Sequence, residues 1–101
     1  MRIREKKISD YGISCDEEKK LKDFCRKMDA ENRLILLQCA ISAAPGLEVY
    51  IYDSLISGVG YRTMENMGRK IPAKEDDFYA YRRKTLGTFY DRLRLFGRWK
   101  D

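Results

Sequence analysis

Histidine is absent from the 101 residues of this chain. That removes the commonest general base and the commonest zinc ligand, and neither a Ser-His-Asp nor a Cys-His arrangement can be assembled. Proline is scarce, at two residues, and glycine is limited to seven, which excludes low-complexity and collagen-like classes. Gly58, Gly60 and Gly68 fit no Walker or dinucleotide-binding pattern. The carboxylates are scattered among lysines and lack metal-loop spacing. No enzymatic activity, cofactor or metal is therefore expected. Long apolar runs are missing too. The longest apolar-rich stretch, Leu34 to Ala44, is roughly half a membrane span, and Gln38 and Ser42 interrupt it. The opening residues MRIREKKISD carry charge where a secretion signal needs an apolar run. The expectation is a soluble, cytoplasmic chain with no membrane partner. Cys15, Cys25 and Cys39 are odd in number and form no CxxC pair, so they are expected to be reduced, buried thiols.

What is present is a packed helical composition, 44% hydrophobic and 37% charged. The length suits one domain, and a domain of about 100 residues hides roughly two-thirds of the surface its unfolded chain exposes. The net charge of +5 is unevenly placed. Residues 1–68 hold 11 Lys/Arg and 11 Asp/Glu, whereas residues 69–101 hold 10 against 5. The whole excess lies in the last third, which points to an anionic partner there.

Residues 1–13 read as a mobile basic N-terminal arm, with Ile8, Tyr11 and Ile13 available to dock on the body. Residues 14–101 read as a single helical domain. Ser14 and Glu17 stand in capping-box spacing ahead of Leu21, Phe24, Cys25 and Met28, predicting a helix over about 15–28. Asp29 is the expected N-cap of a second helix, about 30–44. That helix is apolar nearly all round, so it is expected at the centre, with Leu34, Leu37 and Ile41 almost fully buried. Pro45-Gly46 breaks the chain, and a third helix spans about 47–57 and stops at Gly58. The run VYIY at 49–52 is the best strand candidate, but it lies inside a helical period. A short helix, about 61–67, turns Met64 and Met67 inward. A long one, about 73–96, carries an apolar stripe of Phe78, Tyr81, Leu86, Phe89, Leu93 and Phe96, with Trp99 as a C-terminal anchor. The expected fold is an all-α, compact bundle of about five helices.

The segment 55–93 is the informative one. A short helix, a glycine-led turn at 68–72 and a longer basic helix form a helix-turn-helix over about 61–96. In DNA-binding versions the second helix enters the major groove and the first crosses the backbone. Arginine and lysine meet phosphates, and hydroxyls meet sugar or phosphate. Arg69, Lys70, Lys74, Arg82, Arg83 and Lys84 supply the first, and Tyr79 and Tyr81 the second.

Gly58 to Tyr61 (GVGY) before the short helix, Met67-Gly68, Ile71-Pro72, and Phe78 to Leu86 (FYAYRRKTL) together resemble the helix-turn-helix at the C-terminal end of bacterial sigma factors. The likeness is to sigma-factor region-4-like phage regulators, the late-transcription activators of the ArpU and RinA kind, and covers about 40 residues. It implies that Phe78–Leu86 lies on the recognition helix and its continuation, and that the chain is a phage or mobile-element transcriptional regulator bound to duplex DNA. A bland alternative stands beside each feature: an RRK cluster is often a solvated helix face, and tyrosines are often half-buried packing residues. Mixed patches, such as the acids at 75–77 beside the bases at 82–84, also suit a protein partner. The competing expectation is thus a protein-binding inhibitor or adaptor from a mobile element, of the anti-CRISPR kind, acting on a host nuclease or RNA polymerase.

Overall fold

Helix α1, Cys15–Lys27, starts where its cap dictates. Ser14 Oγ accepts the Glu17 N–H at 3.2 Å, and the Glu17 carboxylate accepts the Ser14 N–H at 3.0 Å. Acids fill its first turn and bases its last, both favoured by the helix dipole. Asp29 caps α2, Ala30–Ala43, through the Asn32 N–H at 3.0 Å. After the Pro45-Gly46 turn come α3, Glu48–Ser57, then α4, Tyr61–Asn66, and α5, Glu75–Leu95. The computed structural model describes residues 3–99. Met1 and Arg2 of the expected arm, and Lys100 and Asp101 of the expected domain, lie outside the described residues. Among the described residues there are five α-helices and no strand, so the fold is all-α. The VYIY run at 49–52 is helical.

The centre of the fold is not where the sequence placed it. Helix α5, not α2, is the hub. It packs against α2, α3, α4 and both 3₁₀ turns of the N-terminal segment, Ile3–Glu5 and Ile8–Tyr11. Phe78, Leu86, Phe89 and Leu93 are fully enclosed along it. The expected burial of Leu34, Leu37 and Ile41 is corrected: Leu34 is 57% exposed, Ile41 is 51% exposed, and Leu37 is half-buried. The buried face of α2 is instead Leu36, Cys39, Ala40 and Ala43. The reason is steric. A helix that is apolar all round gives no periodicity to choose a face, and the distance between two packed helices depends on the side chains at the contact. Cys39, Ala40 and Ala43 let α2 approach α5 closely, which Leu34 and Ile41 would not.

Other expectations shift for local reasons. Met64 is buried but Met67, just past the end of α4, is exposed. Helix α5 begins at Glu75, two residues later than expected, and ends before Phe96, which is exposed. The N-terminal segment is folded onto the bundle: Ile13 is buried, and Ile8 and Tyr11 pack against the core. Gly87 permits this, because a Cβ there would stand 2.8 Å from the Tyr11 ring. Trp99 folds back edge-on to Phe24 and Tyr90, with ring centroids at 5.6 and 5.7 Å.

Two consequences can be measured. Leu36→Ala should destabilise by about 2–5 kcal/mol in urea unfolding, while Ile41→Ala should stay within about 0.5 kcal/mol. The reverse order would refute this orientation of α2. The second concerns acid. The Tyr90 hydroxyl donates to the Glu17 carboxylate, and this bond, with the Ser14 backbone bond, holds Glu17 at about 2 instead of 4.5. A carboxyl depressed on folding contributes stability that is present above pH 4.5 and lost as pH falls towards 2. Glu17→Gln should flatten the stability profile across that window; an unchanged profile would show that the Tyr90 bond does not form.

Candidate nucleic-acid interface

Consecutive helix residues step about 100° round the axis, and the three bases 82–84 follow that geometry into three different surroundings. Arg82 turns inward to α3, where its Nη1 donates to Ser54 Oγ at 3.1 Å and its guanidinium lies 4.6 Å from the Tyr79 ring centroid. Burial lowers its pKa from the ordinary arginine value. Arg83 turns to the N-terminal segment and donates from Nε to the Lys6 carbonyl at 2.9 Å. Lys84 alone is exposed. The tightest basic cluster in the sequence is therefore mostly a set of internal ties.

The remaining predicted contacts divide in the same way. Arg69 pairs with Asp53 of α3 at 2.6 Å and lies over the Tyr50 ring at 4.9 Å. The Tyr79 hydroxyl accepts the Tyr61 N–H at 3.0 Å, and its ring stands edge-on to Phe78. Tyr81 is half-buried against the core. Lys70 and Lys74 are exposed in the turn before α5. Lys84 lies ten residues beyond Lys74, about 15 Å further along the helix. Arg69 and Arg82 thus both tie to α3, at Asp53 and Ser54, but line separate cavities, and Lys70, Lys74 and Lys84 stay dispersed.

The α4–α5 connection, residues 67–74, is longer than the roughly three- to four-residue turn of a DNA-binding helix-turn-helix. The acids that open α5 are engaged as well. Glu75 pairs with Arg62 at 3.0 Å, and Asp77 with Arg4 at 3.0 Å.

A basic surface that the sequence did not reveal lies along the second half of α1. On one side, Lys20, Asp23, Phe24, Lys27, Arg98 and Trp99 line a cleft of about 510 Å³. On the other, Lys22, Arg26 and Arg82 meet in a smaller cavity of about 260 Å³. Arg98 is held to Glu31 at 2.9 Å and to Asn32 at 3.2 Å. Asp23 pairs with Arg26 and Lys27, and Glu18 with Lys22. Six cations stand there against Glu18, Asp23 and Glu31, a surplus of three. Averaging over α1 conceals it, because the acids of the first turn cancel the bases of the last. The one usable signal was that segregation along the helix.

The cysteines offer no reactive centre beside this surface. Cys25 and Cys39 are buried, and burial pushes Cys25 up to about 12 against the lowering effect of Arg82. Cys15 is exposed, which corrects the expectation of three buried thiols. All three are free. Among the described residues no group of three or more Cys, Asp or Glu is placed to hold a metal ion, and no described helix is long and apolar enough to cross a membrane. In unreduced protein a thiol reagent should label only Cys15 in the native state and all three after denaturation. Rapid native labelling of Cys25 would contradict the packing around it. Compared with known proteins, the chain matches no family model, no curated protein and no solved structure.

Proposed function

We propose that this chain is a small DNA-binding regulator, without enzymatic activity, whose contact surface runs along the second half of α1. The observation that carries the reading is the Trp99 cleft. Lys20, Lys27 and Arg98 ring an aromatic floor of Phe24 and Trp99. Cations neutralise backbone phosphates, and the aromatic faces beside them suit sugars and bases. The ion pairs on this surface are exposed, so exchanging a carboxylate for a phosphate costs little. The transcriptional part of the reading rests on the resemblance of residues 55–93 to phage regulators. The same resemblance offers Lys70, Lys74 and Lys84 as a second set of phosphate contacts, with Arg69, Tyr79, Arg82 and Arg83 holding the α3–α5 framework behind them.

One observation favours a second reading, a protein-binding inhibitor or adaptor. Residues 34–47 contain no charged side chain, yet Leu34 and Ile41 are exposed there on α2. An uncharged apolar stripe on a highly charged protein suits a protein partner, such as a nuclease or polymerase subunit.

Affinity for random duplex DNA at two salt concentrations tests the first reading. Three phosphate contacts give a slope of roughly −2.7 in log K against log salt. Lys20→Ala with Lys27→Ala should flatten it by about 2, while Lys70→Ala with Lys84→Ala should leave most of it. If the second pair abolishes binding and the first does not, the contact surface belongs to the α4–α5 side. Salt-independent or absent binding removes the DNA reading and leaves the α2 stripe as the surface to test.

A further inference from the structure

A guanidinium stays charged at every physiological pH, and it is costly to bury unless paired. Arg82 is unusual in this respect. It lies midway along α5, partly withdrawn from solvent, and it carries five N–H donors. Its direct contacts are one hydrogen bond to Ser54 Oγ and the face of Tyr79, and the Glu18 carboxylate acts on it through space without closing an ion pair. No carboxylate pairs with it among the described residues. No buried side-chain polar atom lacks a partner in the described structure, so the unused Arg82 donors open onto the cavity beside them.

That cavity lies between α1, α3 and α5 and is lined by Lys22, Arg26, Ser54, Leu55, Gly58 and Arg82. Three cations line it and no carboxylate does. Glu18 and Asp23 hold Lys22 and Arg26 at 3.3 and 3.1 Å from outside the lining. Gly58 shapes the wall: its φ of 80° ends α3, and a Cβ there would stand 2.8 Å from Arg26 Cδ. The carbonyl end of α3 also faces this region. It attracts cations, but a helix terminus carries only about half a charge, and Ser54 Oγ already donates to the Val59 carbonyl at 2.6 Å. Glu18 and Asp23 offset two of the three cationic charges and the helix end a further fraction, which leaves the Arg82 guanidinium as the charge at this cavity without an ion-pair partner. At about 260 Å³ the space falls below the roughly 300–1,000 Å³ of pockets that hold drug-sized ligands. It has room for one small group and a few waters of about 30 Å³ each.

We infer that this cavity is a binding site for a single phosphate-class oxyanion. The Arg82 fork binds two of its oxygens, Lys22 supplies a point charge, and Arg26 closes the outer side across Gly58. Planar bidentate recognition is what arginine does best at phosphate, and the lysine adds charge without demanding geometry. The group arrives either as the terminal phosphate of a nucleic-acid strand or as free phosphate; both present the same oxygens. The site does not depend on the DNA reading of the Trp99 cleft, because inorganic phosphate alone is enough to test it.

The test uses the full chain in sodium phosphate against sodium chloride at matched ionic strength. Backbone amide shifts around residues 54–59 and the thermal midpoint are followed together. Saturable shifts and a midpoint that climbs with phosphate but not chloride are expected, as for any ligand that binds only the folded state. Lys22→Met with Arg26→Met should weaken phosphate at least about tenfold, given the strength of charge-assisted hydrogen bonds. Both side chains are partly exposed, so this pair keeps the test decisive even where Arg82→Gln fails to fold. Competition separates the sources: displacement by a 5′-phosphorylated but not a 5′-hydroxyl oligonucleotide identifies the strand terminus, and displacement by neither identifies free phosphate. Equal responses to phosphate and chloride, or a wild-type response from the double variant, overturn the site. Failure of duplex binding at Lys20 and Lys27 would leave this result standing.

Discussion

Everything in this fold depends on the enclosure of α5. A 21-residue helix with Phe78, Leu86, Phe89 and Leu93 fully buried cannot also present a broad free face. Helices α2, α3 and α4 and the N-terminal 3₁₀ turns all pack on it, and each contact fixes what a polar residue on that side must do. Arg82 ties the helix to α3, Arg83 ties it to the Lys6 carbonyl, and Tyr90 ties its far end to the Glu17 cap of α1. These bonds link elements up to 77 residues apart in sequence. The charge is thereby converted from a surface property into part of the framework.

Helix positions were legible because their signals are local. The Ser14–Glu17 capping box, the Asp29 cap and the Gly58 terminus each specify a backbone hydrogen bond within a few residues, and each appears in the structure. Which face of α2 turns inward was not legible. Leu34, Leu37 and Ile41 have the same period as Leu36, Cys39, Ala40 and Ala43, and only the close approach of α5 selects the smaller set. The folding of residues 3–13 onto α5 was hidden for a similar reason, since it depends on Gly87 leaving room for Tyr11 from 76 positions away.

The candidate site shows the same division. Local charge density picked out Arg82, Arg83 and Lys84, yet density says nothing about where successive residues of a helix point. Two of the three face protein, so the density measured framework as much as surface. Helix α1 gives no such signal, because its charges nearly cancel in sequence. In space they do not cancel locally: its lysines and Arg26 are joined by Arg82 from α5 and Arg98 from beyond it, on two sides of one helix.

A charge can serve a ligand only if releasing its present partner is cheap. By that criterion the basic residues differ in the number and kind of their contacts. Arg69, paired to Asp53 and lying over the Tyr50 ring, and Arg83, bonded to the Lys6 carbonyl, would each leave an acceptor without its present donor if drawn away. The exposed pairs of Arg26, Lys27 and Lys22 are worth about 0–1 kcal/mol and exchange freely with an incoming anion. Arg82 belongs to neither group. Its bond to Ser54 can persist while its remaining donors take a second acceptor, because a guanidinium fork serves several partners at once. The residue that holds α5 to α3 therefore also keeps donors to spare. An anion bound there would strengthen the framework instead of competing with it, linking occupancy of the cavity to stability of the helix on which the fold depends.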